Sequence, residues 1–336
     1  MEIVICKTKK EASRKAADMI AKLVKENPKC VLGLATGSTP VEMYDCLAKD
    51  VKAKKISFKN VKSWNLDEYY GLAPTHDQSY RYFMNENFFD KIDIKKSNTH
   101  VLNGLAKDWR KECAAYEAQI KKAGGIDLQV LGIGSDGHIA FNEPGSSLAS
   151  RTRIVYLTPQ TIKDNARFFK KASDVPVSAL SMGVGTICEA KKIILLAFGA
   201  NKQDAIKGCV EGPMSQFCTA SALQAHNDCW IFCDEAAAKN LVGTANVSKT
   251  AASSTHGEQL TISIGPDLPP EQAFCINMKD GNRRGRICAP NAQVTEVGSP
   301  TFVPSAGNVW PFTISCYDDG TGHSVYVYFD DGATTA

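Results

Sequence analysis

Residues 127–147 read DLQVLGIGSDGHIAFNEPGSS. The first eight, Asp127 to Gly134, form a short apolar run of the kind that fills the middle of a parallel sheet. Asp136, His138 and Glu143 follow within eight positions, set among glycines. Ionisable groups crowded at the end of a buried strand are costly to desolvate, and such crowding points to a site.

Outward from this segment the chain alternates strand and helix patterns. Glu2–Cys6, Cys30–Ala35, Val61–Asp67, Lys192–Gly199 and Cys229–Asp234 read as strands. Lys9–Asn27, Thr39–Lys55, Gln78–Ile92, Ala106–Ala123 and a segment from Lys202 read as helices. In the first of these, Ala12, Ala16, Met19, Ile20, Leu23 and Val24 share a face. The alternation predicts an α/β fold over residues 1–242: a doubly wound, mostly parallel, Rossmann-like sheet with right-handed crossovers. Residues 243–257, GTANVSKTAASSTHG, are small and polar and read as a linker. Beyond them the period changes to two in Leu260–Ile264, Ala273–Met278, Pro311–Tyr317 and Ser324–Phe329. This predicts a small antiparallel all-β domain at 258–336. Tyr326 and Tyr328 share one face of it. Core packing is the commoner reason for such a stripe, and a carbohydrate- or protein-binding appendage is the alternative.

The composition is that of a globular protein, with 43% hydrophobic and 22% charged residues in 336. No apolar stretch approaches the roughly 20 residues that span a bilayer, and the start, MEIVICKTKK, lacks a secretory pattern. A cytoplasmic protein with no membrane partner is expected. Among 12 cysteines there is no CxxC pair, so zinc is not expected. Cys6, Cys30, Cys188, Cys229 and Cys233 sit in apolar runs and read as buried, reduced thiols. The net charge of +3 is too slight to suggest nucleic acid. It divides unevenly: residues 243–336 hold five Lys/Arg against nine Asp/Glu, leaving +7 on the rest, a balance suited to an anionic metabolite.

Four constellations carry chemistry. Gly132-Ile133-Gly134-Ser135-Asp136-Gly137 matches G-x-G-x-x-G, but Pro144 and Gly145 interrupt the helix a dinucleotide site needs, and Arg153–Gln160 supplies no acidic residue. His138 is flanked by Asp136 and Glu143; a carboxylate on one imidazole nitrogen fixes the tautomer and raises the basicity of the other, which suits proton transfer. The same three groups are a partial metal set. Gly37-Ser38-Thr39-Pro40 stands between a strand and a helix, where Ser38 or Thr39 can cap the helix or, with free N–H groups, hold a phosphate. Arg167 and Lys202 are phosphate partners if folding brings them near Thr39. Asp67 and Glu68 end a strand; Asp67 is taken as the general base and Glu68 as its support, though periodicity alone barely separates them.

The segments LGLATGSTP (32–40), NLDEYYGL (65–72), GIGSDGHIAFNEPGSSLASRTR (132–153), NARFF (165–169), SMGVGTI (181–187) and CDEAAA (233–238) resemble the glucosamine-6-phosphate deaminase family, in that family's order, over residues 1 to about 241. The related 6-phosphogluconolactonases share a G-x-x-x-D-G-H core, but Phe141-Asn142-Glu143-Pro144 is the deaminase form. The resemblance implies that Asp67 shuttles a proton between C2 and C1 of an opened amino sugar. It implies that His138, with Asp136 and Glu143, serves the ring oxygen. Gly37, Ser38, Thr39, Arg167 and Lys202 would hold the 6-phosphate, and the products would be fructose 6-phosphate and ammonia with no metal or organic cofactor. A related sugar-phosphate isomerase or a lactonase-like hydrolase is the alternative activity. Some relatives are homo-oligomers activated by an N-acetylated sugar phosphate between subunits. Ser146, Ser147 and Arg153 match part of that site, but Val155 and Tyr156 stand where regulated relatives carry a Lys, so weak or absent activation is expected. The β domain has no counterpart in the resemblance.

Overall fold

The structure, a computed structural model, describes residues 1–166 (backbone only at 164 and 165), 169, 171 and 174–241. Beyond these it describes the backbone of strands at 247–250, 259–262, 272–280, 283–297, 312–316 and 326–330. The chain forms two compact units, Met1–Thr244 and Ala245–Ala336.

The first unit is built on a seven-stranded sheet whose strands all run parallel. In chain order they are β1 (Glu2–Cys6), β2 (Val31–Leu34), β3 (Lys62–Asn65), β5 (Thr99–His100), β6 (Leu128–Leu131), β9 (Ile193–Ala197) and β10 (Cys229–Asp234). In space the order is β1-β10-β9-β6-β2-β3-β5. Every residue of β2, β6 and β9 is buried, as expected of central strands covered on both faces. From β2 the chain winds through β3 to the β5 edge, and from β6 it winds the opposite way through β9 to β10. The winding therefore reverses between β2 and β6, which are neighbours. In open α/β sheets a ligand crevice opens at such a reversal, beyond the carboxyl ends of the strands.

Helix α1 (Lys9–Glu26) starts at Thr8, whose hydroxyl accepts the Glu11 N–H, and buries Ala12, Ala16, Ala17, Ile20 and Val24. Met19 and Leu23, expected on that face, lie at its margin and are partly buried. Helix α2 (Val41–Lys52) is shorter than expected: its N-cap is Pro40, with no side-chain cap. Ser38 and Thr39 are thus not capping residues, which corrects the helix start expected at Thr39 and removes one of the two readings of that loop. α3 (Tyr80–Asn87) and α4 (Trp109–Lys122) also start later than expected, at Ser79 and Asp108, whose side chains accept from the first turn. None of the described helices is long and apolar enough to cross a membrane.

A second correction concerns Val61–Asp67, expected as one strand. The chain leaves the main sheet at Leu66. Its N–H still bonds the Leu34 carbonyl of β2 (3.0 Å), while its carbonyl already accepts from Met182 (2.7 Å). The next residues form β4 (Asp67–Tyr69) in a three-stranded antiparallel sheet, order β4-β8-β7, with β7 (Arg153–Tyr156) and β8 (Ser178–Ser181). Between them lies α5 (Pro159–Asn165), followed after β8 by α6 (Val184–Cys188). α7 (Gln203–Val210) and α8 (Glu235–Ala238) complete the unit.

The nine cysteines up to Cys233 are free; Cys188 is half-buried rather than buried. In the second unit β11 (Val247–Thr250) pairs antiparallel with β12 (Gln259–Ile262), so the segment expected as a linker contains a strand. β13 (Gln272–Asp280), β14 (Arg283–Val297) and β15 (Phe312–Cys316) form a sheet in which β16 (Tyr326–Asp330) also pairs with β14. β14 escapes the sequence reading because it contains Pro290, and the register with β13 shifts there, between Phe274↔Ala289 and Gln272↔Ala292.

Candidate active site

The three motifs on the main sheet leave adjacent strands. Ser38 and Thr39 follow β2, Asp67 follows β3, and the Asp136–Glu143 loop follows β6; β2 and β6 flank the winding reversal and β3 lies next to β2. The small sheet ties two of them together. Asp67 is in register with Ser181, whose hydroxyl accepts the Phe141 N–H at 3.2 Å.

Asp67 and Glu68 are both buried, but differently held. Glu68 accepts backbone N–H groups of Tyr69 (2.9 Å), Tyr80 (2.9 Å) and Arg81 (3.0 Å), tying the small sheet to the start of α3. Burial pushes its carboxyl up to about 7 even against those donors. Asp67 Oδ1 is buried with no hydrogen-bond partner. Burial, and then the charge of Glu68, push its carboxyl up to about 8. A base raised into this range is better matched to abstracting a proton from carbon than an ordinary carboxylate. Tyr69, Tyr80, Phe141 and Phe169 pack together beside it.

The loop after β6 turns tightly. The Gly134 N–H donates to the His138 carbonyl (2.8 Å). A Cβ on Gly134 would stand 2.4 Å from the imidazole, and Gly137 has φ +88°. Ala140 also takes a positive φ, 51°, the kind of backbone strain that persists only where surroundings over-determine it. Those surroundings are visible: Asn142 Nδ2 donates to the Ile139 (3.0 Å) and Met182 (2.8 Å) carbonyls, and the Thr219 hydroxyl joins Ile139 N–H to the Asn142 carbonyl.

The loop brings three ionisable groups together. His138 Nδ1 is 2.6 Å from Asp136 Oδ1 and 3.8 Å from Glu143 Oε2. Burial works to raise the Asp136 carboxyl, but the hydrogen bonds and charge of His138 outweigh it and hold the group below the usual carboxylate range. Ligand atoms of Asp136, His138 and Glu143 lie within 4.8 Å of one another, so the set could enclose one cation. Asp136 Oδ1 also accepts the His138 backbone N–H at 3.1 Å, while the buried Nδ1 makes no aligned hydrogen bond.

At the loop after β2, Gly37 has φ +90° and turns the chain into α2. Without a side-chain cap, the first N–H groups of α2 lack intrahelical partners, and the Ser38 and Thr39 hydroxyls are not spent on them. Lys9 Nζ donates to the Ser38 carbonyl at 3.0 Å, bringing a cation that the sequence reading missed. Lys202 ends a 3-10 turn after β9, and the Gly199 N–H before it bonds both carboxylate oxygens of Asp234 (3.0 and 3.1 Å). Arg167 lies outside the described residues. Arg151, within the longest motif, is structural: it pairs with Glu117 and Glu189.

Known proteins resemble the first unit. The family described as glucosamine-6-phosphate isomerases/6-phosphogluconolactonase matches residues 7–231. A glucosamine-6-phosphate deaminase of Shewanella woodyi is 55% identical over 241 residues, 72% of this chain and 91% of the relative. That of a Thermoanaerobacter species is 52% identical over 238 residues, 71% of this chain and 94% of the relative. Among solved structures, a monomeric glucosamine-6-phosphate deaminase is 43% identical with a TM-score of 0.70, covering 71% of this chain and 100% of its own. A 6-phosphogluconolactonase from Trypanosoma brucei, 20% identical with a TM-score of 0.58 over 72% of this chain and 98% of its own, shares the fold.

Proposed function

The chain belongs to the glucosamine-6-phosphate isomerase/6-phosphogluconolactonase family, and from that premise we infer that it is an enzyme converting glucosamine 6-phosphate to fructose 6-phosphate and ammonia. The observation that carries the reading is the pairing of two proton-handling sites beyond β6 and β3, the strands on either side of β2. One is the Asp136–His138–Glu143 relay; the other is the buried Asp67 carboxyl, Oδ1 of which has no partner. A lactone hydrolase needs no base that moves a hydrogen between carbons, and the lactonase likeness lies near 20% identity, against 43–55% for the deaminases named above.

In this reading His138, oriented by Asp136 and Glu143, hands a proton to the ring oxygen as the pyranose opens, and the C1 hydroxyl gives up its own proton to solvent as the aldehyde forms. Asp67 then takes the hydrogen from C2 of the open-chain aldehyde. The electron pair forms the C1–C2 double bond as the carbonyl oxygen gains a proton. Asp67 returns its hydrogen to C1, leaving an imine at C2; water adds there and ammonia leaves. Hydroxyls of Ser38 and Thr39 and the N–H groups after Gly37 receive the phosphate, with Lys202 and Arg167 as cationic partners. Their grip supplies binding energy remote from the reacting carbons. A phosphorylated sugar does not cross a bilayer unaided, which supports a cytoplasmic setting. A carbohydrate- or protein-binding role for residues 258–336 is a separate proposal, independent of this chemistry.

The test is a coupled assay. The full chain is expected to release fructose 6-phosphate and ammonia in equal amounts from glucosamine 6-phosphate and to leave 6-phosphogluconolactone at its spontaneous rate. Accelerated lactone hydrolysis without ammonia release would reverse the assignment.

A further inference from the structure

Glu143 is held by two hydroxyls from a different element. Thr161 Oγ1 donates to Glu143 Oε1 at 2.5 Å, and Thr158 Oγ1 lies 3.3 Å from the same oxygen. The other carboxylate oxygen, Oε2, faces His138 Nδ1 at 3.8 Å. Thr158 is the N-cap of α5, and its hydroxyl oxygen accepts the Thr161 N–H at 3.2 Å. The two hydroxyls are themselves 3.1 Å apart. Each hydroxyl carries one hydrogen. The shorter contact takes that of Thr161, and Thr158 fixes where the Thr161 backbone stands.

A carboxylate on a loop is free to turn about its last torsion, which is broad. Fixing Oε1 leaves Oε2 the oxygen offered to the imidazole. We propose that Thr161, seated by Thr158, is a positioning residue that fixes the Glu143 carboxylate against His138 for the ring-opening step. This rests on the deaminase reading above and adds to it a residue 18 positions from Glu143 and on another element. The rest of α5 supports the placement: Ile162 packs with the cluster of Tyr69, Phe141 and Leu157, so the helix is docked beside both the relay and the Asp67 strand.

Thr161→Val removes the hydroxyl while keeping the shape and nearly the helix propensity of Thr; Thr161→Ser keeps the hydroxyl. With wild type, both variants, Glu143→Gln and the Thr161→Val/Glu143→Gln pair, steady-state kinetics on glucosamine 6-phosphate give the answer. Thr161→Val is expected to lower kcat about tenfold to a hundredfold with KM within about twofold, and Thr161→Ser to recover most of kcat. In the Glu143→Gln background the same change is expected to cost much less, because the hydroxyl acts through that carboxylate. An unchanged kcat in Thr161→Val, an effect on KM alone, equal losses in Val and Ser, or an equal loss with and without Glu143 would each overturn the proposal while the wild-type activity stands. A wild type that releases no ammonia would overturn the deaminase reading and this one with it.

Discussion

Glu68 and Asp67 are adjacent buried carboxyls, and the backbone gives all its donors to one of them. Three N–H groups point at Glu68, and Asp67 Oδ1 receives none. The break in the strand at Leu66 makes this possible, because it carries both acids into the small sheet beside the start of α3. Glu68 thereby becomes a structural tie, and Asp67 is left destabilised as an anion, as the proposed base requires. An unsatisfied buried carboxyl lowers stability, which is the trade expected of a catalytic group.

The Asp67 titration has opposite consequences for rate and stability. With its carboxyl raised from the ordinary 3.8 to about 8, kcat/KM, which reports the free enzyme, is expected to rise with pH until about 8. The folded state binds this proton more readily than the unfolded state does. Its contribution to stability is therefore complete below about pH 4 and is lost as pH rises to about 8, on the order of 5 kcal/mol at most. Asp67→Asn is expected to abolish deamination and to remove that loss. Its melting temperature is expected to exceed that of wild type by several degrees at pH 8, with the gap closing toward pH 4. A gap that widens on acidification would show that Asp67 is held as an anion.

Ser38 and Thr39 separate binding from stability. Neither hydroxyl caps α2, so Ser38→Ala and Thr39→Val are expected to leave the denaturation midpoint unchanged. Each should raise KM for glucosamine 6-phosphate about tenfold, since a hydrogen bond to a charged group contributes about 1.5–3 kcal/mol. Inorganic phosphate should weaken in parallel as a competitive inhibitor. Loss of stability with an unchanged KM would return both residues to a structural role.

Much of this was legible in the sequence. Buried parallel strands are short apolar runs, and those of β2, β6, β9 and β10 announce themselves. Asp136, His138 and Glu143 lie within one loop, so their meeting needs no tertiary information. What escaped depends on contacts between distant segments. Lys9 reaches Ser38 across 29 positions, and Thr161 reaches Glu143 across 18. The break at Leu66 is hidden because leucine is apolar in either sheet. The bare start of α2 is hidden because Ser38 and Thr39 are good caps by type, and only the αR conformation of Pro40 shows that neither serves.

Gly33 tests how tightly the two halves of the site are joined. It lies on β2 opposite Gln129 of β6, across the winding reversal. A Cβ there would stand 1.9 Å from Gln129 Oε1. The amide cannot easily withdraw, because its Nε2 donates to the Val130 carbonyl at 2.8 Å in a fully buried strand. Gly33→Ala is expected to destabilise the protein by about 1–3 kcal/mol through overpacking and to lower activity by spreading β2 from β6. Chemical denaturation checks it: Gln129→Ala should largely cancel the effect of Gly33→Ala in the double variant. Additive losses would mean that the strain arises elsewhere.

Arg153, which the family resemblance implies for an effector site, is engaged within its own chain. Its guanidinium donates to Asn142 Oδ1 at 2.9 Å and to Ser146 Oγ at 3.2 Å. To receive a phosphate it would have to release the amide that braces the catalytic loop through the Ile139 and Met182 carbonyls. Val155 is buried against Ala179, where a second cation would be needed, and Tyr156 points outward, largely exposed. One half-buried, already bonded arginine is a poor site for a dianion. Saturation by glucosamine 6-phosphate is therefore expected to be hyperbolic, and N-acetylglucosamine 6-phosphate to leave half-saturation within about twofold. That bound is less than 0.5 kcal/mol of coupling, against the roughly 1–3 kcal/mol typical of allosteric effectors. A sigmoidal curve that the N-acetylated sugar phosphate converts to a hyperbola would show that Arg153 can be drawn out of the loop, and that the loop's bracing is itself the switch.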